Sequence, residues 1–376
     1  MEAPSGSSRS AIQLAERLIQ LLGRGGFTAT YKYAVLVALM DLCMELTSAT
    51  GLPPDMITTR QLAEKVIELY WLHCAPYDSA RGVLRQSTGG DAKPALIVRH
   101  ILQFRDTVDP KRERSLSLSQ ARAKAAPGQV EGLVREIEWT LVHMPLPRLQ
   151  LIGRQEDRFL YEYSFTKETP RGVVDRYQKG ESSSFDNRLN LEPGVSAALI
   201  ALNGVLRPLI YRSWAMMVAS MNGLLTESPL EEFLFGSQRI SLLPVRSALH
   251  ELQGGRCFYC DKSMSPECHV DHFVPWSRHA DNSIDNLVAA HDKCNGRKSD
   301  YLAAAEHVER WRERSGRSAA DLAAIAREKA WESQAERTFS VARAIYRMLP
   351  DDARLWQTGQ SFVLIEHPRI AAALAA

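Results

Sequence analysis

The stretch from residue 257 to residue 298 decides how the C-terminal part of this chain folds. It reads CFYC over residues 257–260, HVDHFVPW over 269–276, IDNLV over 284–288 and HDKCNGRK over 291–298. This order predicts a small unit in which two short strands are followed by a helix. A unit of this size has little hydrophobic core of its own, so it needs another source of stability.

Two pairs of metal-binding side chains could provide that stability. A CxxC pair and an HxxC pair begin and end the stretch, about thirty residues apart. Tetrahedral structural zinc prefers four nitrogen and sulfur ligands. We therefore expect Zn²⁺ to be bound by Cys257, Cys260, His291 and Cys294. Cys268 and His269 are alternatives to His291 as the fourth ligand, so the prediction rests mainly on the three cysteines.

The same stretch contains side chains suited to hydrolysis of a phosphodiester bond. That reaction needs a hard cation, a base that activates water, and positive charge near the phosphate. Asp271 and Asn295 offer oxygen atoms to Mg²⁺ or Mn²⁺. His272 is the candidate general base, because imidazole ordinarily titrates near neutral pH. The basic residues Arg297 and Lys298 are expected to contact phosphate groups.

These motifs resemble the HNH, or ββα-metal, nuclease family. CFYC, VDHFVPWS, IDNLV and CNGRKSD occur in the order and spacing of that family, over about 45 residues. They are especially similar to the HNH module of RNA-guided CRISPR effector nucleases. The resemblance implies that Asp271 and Asn295 bind the catalytic metal and that His272 is the general base. It also implies that Asn286 holds the loop by backbone hydrogen bonds and orients the base.

Two features depart from the family pattern. His291 stands where the family usually has a fourth cysteine. The glycine pair that commonly follows the DH motif is absent, and residues 278–282 read RHADN instead. The second departure concerns the conformation of the loop more than its chemistry. We expect His279 to be an exposed residue of this loop.

The function implied by the resemblance is a DNA endonuclease that leaves a 5′ phosphate, commonly in restriction or anti-phage defence. Such a core reads the phosphate backbone, so its own sequence specificity is low. Two alternatives remain: a zinc-stabilised nucleic-acid-binding or regulatory protein without cleavage, and an RNA-directed HNH nuclease. A protein partner or a homodimer is also expected, since paired cuts on a duplex favour two copies.

The whole chain is predicted to be mainly α with small β elements. Residues 1–10 are polar and expected to be disordered. Residues 11–240 are predicted to form a helix-rich recognition or regulatory domain. Residues 241–305 form the predicted HNH ββα-metal module, and residues 306–376 a helical extension. The module is therefore embedded in a helical C-terminal domain.

Patterns inside the N-terminal domain predict some of its elements. Thr58 or Thr59 is expected to cap a helix that continues through Tyr70. Alternation at 149–152 and at 160–165 predicts a β-hairpin. Helix, turn and helix followed by a hairpin fit a winged-helix module, and a generic helical domain with one hairpin fits equally well.

Apolar periodicity predicts further elements around and after the quoted stretch. A lead-in helix is expected over residues 241–252. Two helices are expected afterwards, over residues 301–313 and 318–348. A short strand over residues 361–365 is predicted to close the domain.

Bulk properties narrow the setting. The chain has 376 residues, a length that suggests about two or three domains, and 45% of its residues are hydrophobic. A net charge of +2 neither requires nor excludes a nucleic-acid partner. The sequence contains no run of about 18 uncharged apolar residues, so a membrane-spanning helix is not expected. Residues 1–9 lack the layout of a signal peptide. We therefore expect a cytoplasmic location. Only six cysteines, four of them clustered, argue against a disulfide scaffold.

Overall fold

The computed structural model describes residues 6–24, 26–78, 82–88, 94–110, 116–153, 155–223, 228–236 and 240–375. The chain divides into two compact units. Unit 1 is Met1–Cys43 with Pro54–Arg239, and unit 2 is Met44–Pro53 with Ile240–Ala376. Helices predominate and every described sheet is small and antiparallel, which confirms the predicted fold class. No helix among the described residues is long and apolar enough to cross a membrane.

The described residues of unit 1 form helices and five short strands. Its helices are α1 (Gly6–Arg24), α2 (Tyr31–Glu45, whose last two residues belong to unit 2), α3 (Thr59–Trp71), α4 (Leu96–Val108), α5 (Leu118–Lys124), α6 (Gln129–His143), α7 (Leu146–Leu149), α8 (Arg171–Gln178), α9 (Val195–Ala201), α10 (Asn203–Asn222) and α11 (Ser228–Phe235). Its strands are β1 (Met56–Thr58), β2 (Leu151–Ile152), β3 (Gln155–Glu156), β4 (Tyr161–Glu162) and β5 (Arg188–Leu191). Of the predicted disordered segment, residues 1–5 lie outside the described residues, and residues 6–10 begin α1.

The sheet of unit 1 corrects the predicted hairpin. Strand β2 pairs with β3, which lies in the segment expected to be the polar connection. Strand β4 pairs instead with β5, and β5 also pairs with β1, so the order is β1-β5-β4. The predicted pairing of 149–152 with 160–165 is therefore wrong. Strand β1 lies between α2 and α3 and pairs with β5, and helix α8 lies between β4 and β5, so this sheet does not contain the expected hairpin.

Local capping and aromatic packing stabilise unit 1. The Thr58 side chain accepts a hydrogen bond from Gln61 N, and the Gln61 side chain accepts one from Thr58 N, so α3 begins with a capping box. Of the two residues expected to cap this helix, Thr58 does so. Trp71 and Trp214 are almost completely buried. The indole nitrogen of Trp214 donates to the Gln86 side chain at 3.0 Å.

Unit 2 contains two hairpin-like strand pairs among helices. Its helices are α12 (Leu243–Leu252), α13 (Asp292–Lys298), α14 (Ala305–Arg317), α15 (Ala319–Glu328), α16 (Ala335–Arg347) and α17 (His367–Ala375). Its strands are β6 (His269–His272), β7 (Leu287–Ala290), β8 (Arg354–Thr358) and β9 (Ser361–Leu364). The predicted lead-in helix and the predicted last strand correspond to α12 and β9.

The long helix expected over residues 318–348 is two helices. Helix α15 ends at Glu328 and α16 begins at Ala335. Ala330, between them, has a φ of +47°, a value in the left-handed region that no α-helix can include. The segment between the helices contacts the loop before β7, where Gln334 N donates to Ser283 Oγ at 2.8 Å. The break therefore places the main-chain N–H of Gln334 and the carbonyl oxygen of Glu332 against that loop.

Helix α14 holds β7 in place from the side. The Trp311 indole donates to the carbonyl oxygen of Asp285 at 2.8 Å, and Arg314 donates to the same oxygen and to that of Leu287. All four residues of β7 are buried. The helical part of unit 2 thus supplies the core that the strand pair lacks.

Candidate metal centre and active site

Strands β6 and β7 and helix α13 form a ββα unit. The strands are antiparallel, with His269 opposite Ala290 and His272 opposite Leu287. Helix α13 starts one residue after His291, which itself follows β7 directly. It packs against β6. It ends at Lys298 because Ser299 has a φ of +45°.

Four side chains converge at one end of this unit. The ligand atoms of Cys257, Cys260, His291 and Cys294 all lie within 4.8 Å of one another. Cys260 Sγ is 3.3 Å from His291 Nδ1. Zn–S bonds of about 2.3 Å in a tetrahedron separate two sulfurs by about 3.8 Å, so the cluster fits a zinc ion. Burial and the neighbouring sulfurs of Cys257 and Cys260 raise the pKa of Cys294, and a cation would offset that effect.

The fourth ligand in this cluster is His291. Its other ring nitrogen, Nε2, lies 3.1 Å from the carbonyl oxygen of Ser263, the kind of second contact that orients ligating histidines. Cys268 is buried apart from the cluster. His269 lies 3.4 Å from Asp292 on the surface. Neither alternative ligand belongs to the cluster.

Asp271 is the central carboxylate of the second site. Only 8% of the residue is exposed. Its Oδ2 accepts a hydrogen bond from the Tyr259 hydroxyl and lies 3.0 Å from Lys298 Nζ. Oδ1 receives no hydrogen bond from the residues that the structure describes. The free oxygen is the type of donor that Mg²⁺ prefers.

The environment of Lys298 differs from the one predicted. The sequence suggested contact with phosphate, whereas the side chain is completely buried. Its ammonium group donates to the carbonyl oxygen of His272 at 2.8 Å and pairs with Asp271. The last residue of α13 thus reaches under β6, and its charge neutralises Asp271 instead of facing solvent.

His272 is held in a defined orientation by Asn282. Nε2 of the imidazole donates to Asn282 Oδ1 at 2.8 Å, which leaves Nδ1 as the basic nitrogen. Burial lowers the pKa of His272, although the Asn282 contact and the charge of Asp271 act in the opposite direction. The neutral ring is therefore favoured near neutral pH, as a general base requires.

Asn286 is fully buried, and its side chain stabilises the loop between β6 and β7 by hydrogen bonds to the backbone. Its Oδ1 accepts from Val274 N at 2.8 Å, and its Nδ2 donates to the carbonyl oxygens of Val274 and Asp281. The resemblance implied both a loop-holding and a base-orienting role. Asn286 makes the backbone hydrogen bonds, while the hydrogen bond to the imidazole comes from Asn282.

The same loop is anchored by buried polar contacts. His279, expected to be exposed, is 1% exposed and its Nε2 lies 2.8 Å from Glu45 Oε1. The guanidinium of Arg337 contacts the same oxygen at 3.0 Å. Asp281 accepts from the Thr338 hydroxyl at 2.7 Å. The expectation for His279 is wrong because side chains far away in sequence cover it.

Asn295 and Arg297 occupy the outer turns of α13. Asn295 is half-buried and lies three residues before Lys298, so the two side chains are neighbours on the helix surface. The role of Asn295 as a ligand of the catalytic cation stays a prediction. Arg297 is exposed, and no carboxylate of the described residues pairs with it. Its phosphate contact stays a prediction.

Comparison with known protein families agrees with this geometry. Residues 257–304 match the family model described as HNH endonuclease. This segment is an HNH module. The match and the Cys₃His cluster confirm the resemblance to zinc-knuckle HNH nucleases, and they support nuclease activity in general. No curated protein and no solved structure matches the chain.

The sequence did not predict that two further residues of the HNH module contact Asp271 and His272. Tyr259 lies inside the CxxC motif, and its hydroxyl reaches the carboxylate of Asp271. The sequence contains two Asp-Asn pairs, at residues 281–282 and 285–286. Spacing alone does not show that the asparagine of the first pair binds the imidazole. The one available signal for Tyr259 was a hydroxyl-bearing aromatic residue between two predicted ligands.

Proposed function

We propose that this protein is a metal-dependent endonuclease that hydrolyses phosphodiester bonds in DNA. The observation that carries the proposal is the pairing of two groups at the end of β6. His272 presents an imidazole held by Asn282, and the adjacent Asp271 has one carboxylate oxygen without a hydrogen-bond donor among the described residues. A base and a cation ligand at one strand end suit attack of water on a phosphate.

The roles of the chain follow from these contacts. Nδ1 of His272 accepts the proton of the attacking water, because Nε2 is engaged by Asn282. Asp271 and Asn295 would hold Mg²⁺ or Mn²⁺, which when bound stabilises charge on the phosphate and the leaving 3′ oxygen. The exposed Arg297 binds a neighbouring phosphate. Asn286 maintains the loop that carries Asn282.

The cysteine cluster has a separate, structural role in this proposal. Zn²⁺ bound by three cysteines and His291 has no open coordination position for substrate, as in other structural sites. It ties the segment before β6 to the start of α13. A zinc ion held there would stabilise the module, and a cation held by Asp271 and Asn295 would supply the positive charge for hydrolysis.

The biological setting is proposed from the resemblance. A core that contacts the DNA backbone needs another part of the chain to select its target. We assign that role to residues 11–240, ahead of the nuclease module at 241–305 and the helical extension at 306–376. Restriction or anti-phage defence would use such an arrangement. Cleavage of unmodified DNA in preference to modified DNA would support this setting, and equal cleavage would argue against it.

The direct test is nicking of supercoiled plasmid by zinc-loaded protein with Mg²⁺ or Mn²⁺. We expect the wild type to cut and His272→Ala to lose about 10²- to 10⁴-fold in rate, the usual contribution of a general base. His367→Ala, on α17, is the matched histidine control. Cleavage by His272→Ala at the wild-type rate would refute the assigned base. Binding without cutting by the wild type would favour the regulatory alternative, and cutting of single-stranded RNA alone would favour the RNA-directed one.

A further inference from the structure

Tyr259 joins the two metal sites of the HNH module. It lies between Cys257 and Cys260 in sequence and is 5% exposed. Its hydroxyl donates to Oδ2 of Asp271, which is outside the cysteine cluster. One residue of the zinc knuckle thus touches the carboxylate that we assign to the catalytic cation.

The main chain around Tyr259 is tightly held. Phe258 N donates to the carbonyl oxygen of Ala289 on β7 at 3.0 Å. Arg310 donates to the carbonyl oxygens of Phe258 and Tyr259, at 2.6 and 3.1 Å. The knuckle fold adds a hydrogen bond from Asp261 N to Cys257 O at 2.9 Å. The hydroxyl therefore occupies a position that depends on the knuckle being formed.

The ring of Tyr259 is also fixed by its neighbours. It meets the rings of His307 and Trp356 edge to face, with centroids 5.4 and 5.1 Å away. The ammonium of Lys298 lies 5.9 Å from its centroid. Because three partners surround the ring, removal of the hydroxyl alone leaves the packing intact.

Two donors share one oxygen of Asp271. Tyr259 and Lys298 both contact Oδ2, and Lys298 is anchored in turn by the carbonyl oxygen of His272. Such a pair fixes the carboxylate plane and turns Oδ1 away from both donors. Groups that orient a metal ligand in this way commonly change metal affinity about 10- to 100-fold when removed.

We propose that Tyr259 is a positioning residue through which the folded zinc knuckle orients Asp271 toward the catalytic cation. This inference rests on the proposed function, since it assumes that Asp271 binds that cation. It adds a role for the zinc site beyond stability. A knuckle without zinc loses the oriented hydroxyl as well as the fold around it.

The test compares Tyr259→Phe with wild type in the full zinc-loaded chain. Mn²⁺ affinity is measured by electron paramagnetic resonance of free Mn²⁺, zinc content by metal analysis, and folding by thermal unfolding. We expect full zinc content and a Kd for Mn²⁺ weaker by about 10- to 100-fold. Tyr301→Phe, which removes a hydroxyl from an exposed tyrosine of unit 2, should bind Mn²⁺ as the wild type does.

Cleavage at rising Mn²⁺ concentration gives a second readout. A positioning role predicts that Tyr259→Phe regains most of its rate at saturating Mn²⁺, whereas general damage to the fold would lower the rate at every concentration. Wild-type Mn²⁺ affinity in zinc-replete Tyr259→Phe would overturn the proposal, and so would a rate that saturating Mn²⁺ does not restore.

Failure of the proposed function has a different signature. If the wild type binds Mn²⁺ but does not cut nucleic acid, the nuclease proposal fails, and the affinity comparison still decides the role of Tyr259. If the wild type binds no Mn²⁺, both proposals are overturned.

Discussion

Each unit of this protein buries an aspartate beside a basic residue, and the two pairs are satisfied differently. In unit 1 Arg207 binds Asp41 and also donates to Asn203 at 3.0 Å and to Tyr211 at 3.1 Å. In unit 2 Lys298 binds Asp271 and the carbonyl oxygen of His272. The guanidinium in unit 1 is surrounded by acceptors, whereas Asp271 keeps one oxygen without a donor among the described residues.

On this difference we base the proposal that the first pair is structural and that the second belongs to a cation site. A buried charge is costly unless partners replace the water it loses. The Arg207 cluster meets that requirement within unit 1. In Asp271, by contrast, only one of the two carboxylate oxygens has hydrogen-bond donors among the described residues. Asp271 lies in a two-stranded sheet, next to a histidine. An incompletely satisfied carboxylate in that position is where we propose that the catalytic cation binds.

The largest expected effect is on catalysis by Asp271→Asn. The amide keeps an acceptor oxygen for Tyr259 and Lys298 but removes the charge that attracts the cation. Loss of several kcal/mol of metal stabilisation predicts a cleavage rate lower by about 10²- to 10⁴-fold. Single-turnover cleavage measures the loss, with the exposed Asp351→Asn as control. A rate within threefold of wild type would remove the distinction between the two aspartates.

Removal of zinc should affect one unit only. Structural zinc contributes free energy directly to folding, so Cys294→Ser or a strong chelator is expected to unfold the segment around residues 257–304. Hydrogen exchange should show lost protection there and unchanged protection in unit 1. Cys268→Ser is the control, because Cys268 is buried but outside the cluster. Full protection in zinc-free protein would contradict a structural role for the metal.

The ion pair of unit 1 should matter for stability. Asp41→Ala leaves Arg207 buried without its carboxylate, at a cost of about 3–5 kcal/mol in the free energy of unfolding. Urea denaturation measures this loss. The exposed pair of Asp186 and Arg188 provides the control, and Asp186→Ala should cost less than about 1 kcal/mol. Equal costs for both substitutions would show that the buried cluster is not structural.

Substitution of Glu138 is expected to have the smallest effect on stability. It extends the comparison to a third buried carboxylate. Glu138 is completely buried, and among the described residues its hydrogen-bond donors are the neutral side chains of Thr59 and Gln178. Burial raises its pKa above the usual 4.5. The folded state therefore holds this proton longer than the unfolded state, and the stability linked to it is lost as pH rises above about 4.5.

Glu138→Gln removes that titration. The difference in Tm between variant and wild type should shift in favour of the variant as pH rises from 4.5 to 8. Thermal unfolding across this range provides the measurement. Parallel curves would mean that Glu138 has the same pKa in the folded and unfolded states.

Local spacing explains what could be predicted. The CxxC and HxxC pairs lie within short segments, so the cluster could be predicted, while the choice of His291 over Cys268 and His269 depended on the strand pairing that brings α13 to the knuckle. A capping box is likewise local, and the sequence narrowed the α3 cap to Thr58 or Thr59.

Long-range contacts explain what could not be predicted. The predicted hairpin failed because β4 pairs with β5, nearly thirty residues later, instead of with its near neighbour. His279 is buried by Glu45 and Arg337, and Lys298 by the strand above it. No periodicity in the sequence marks any of these partners.

The amino-acid sequence alone determined which groups this protein has for chemistry: clustered cysteines with nearby histidines, and the adjacent Asp271 and His272. Only the tertiary structure decided which of their atoms are already bound and which remain open. That decision depends on residues such as Tyr259 and Asn282 approaching in space. Burial and hydrogen bonding, which set the reactivity of a polar group, belong to the folded arrangement and not to the order of residues along the chain.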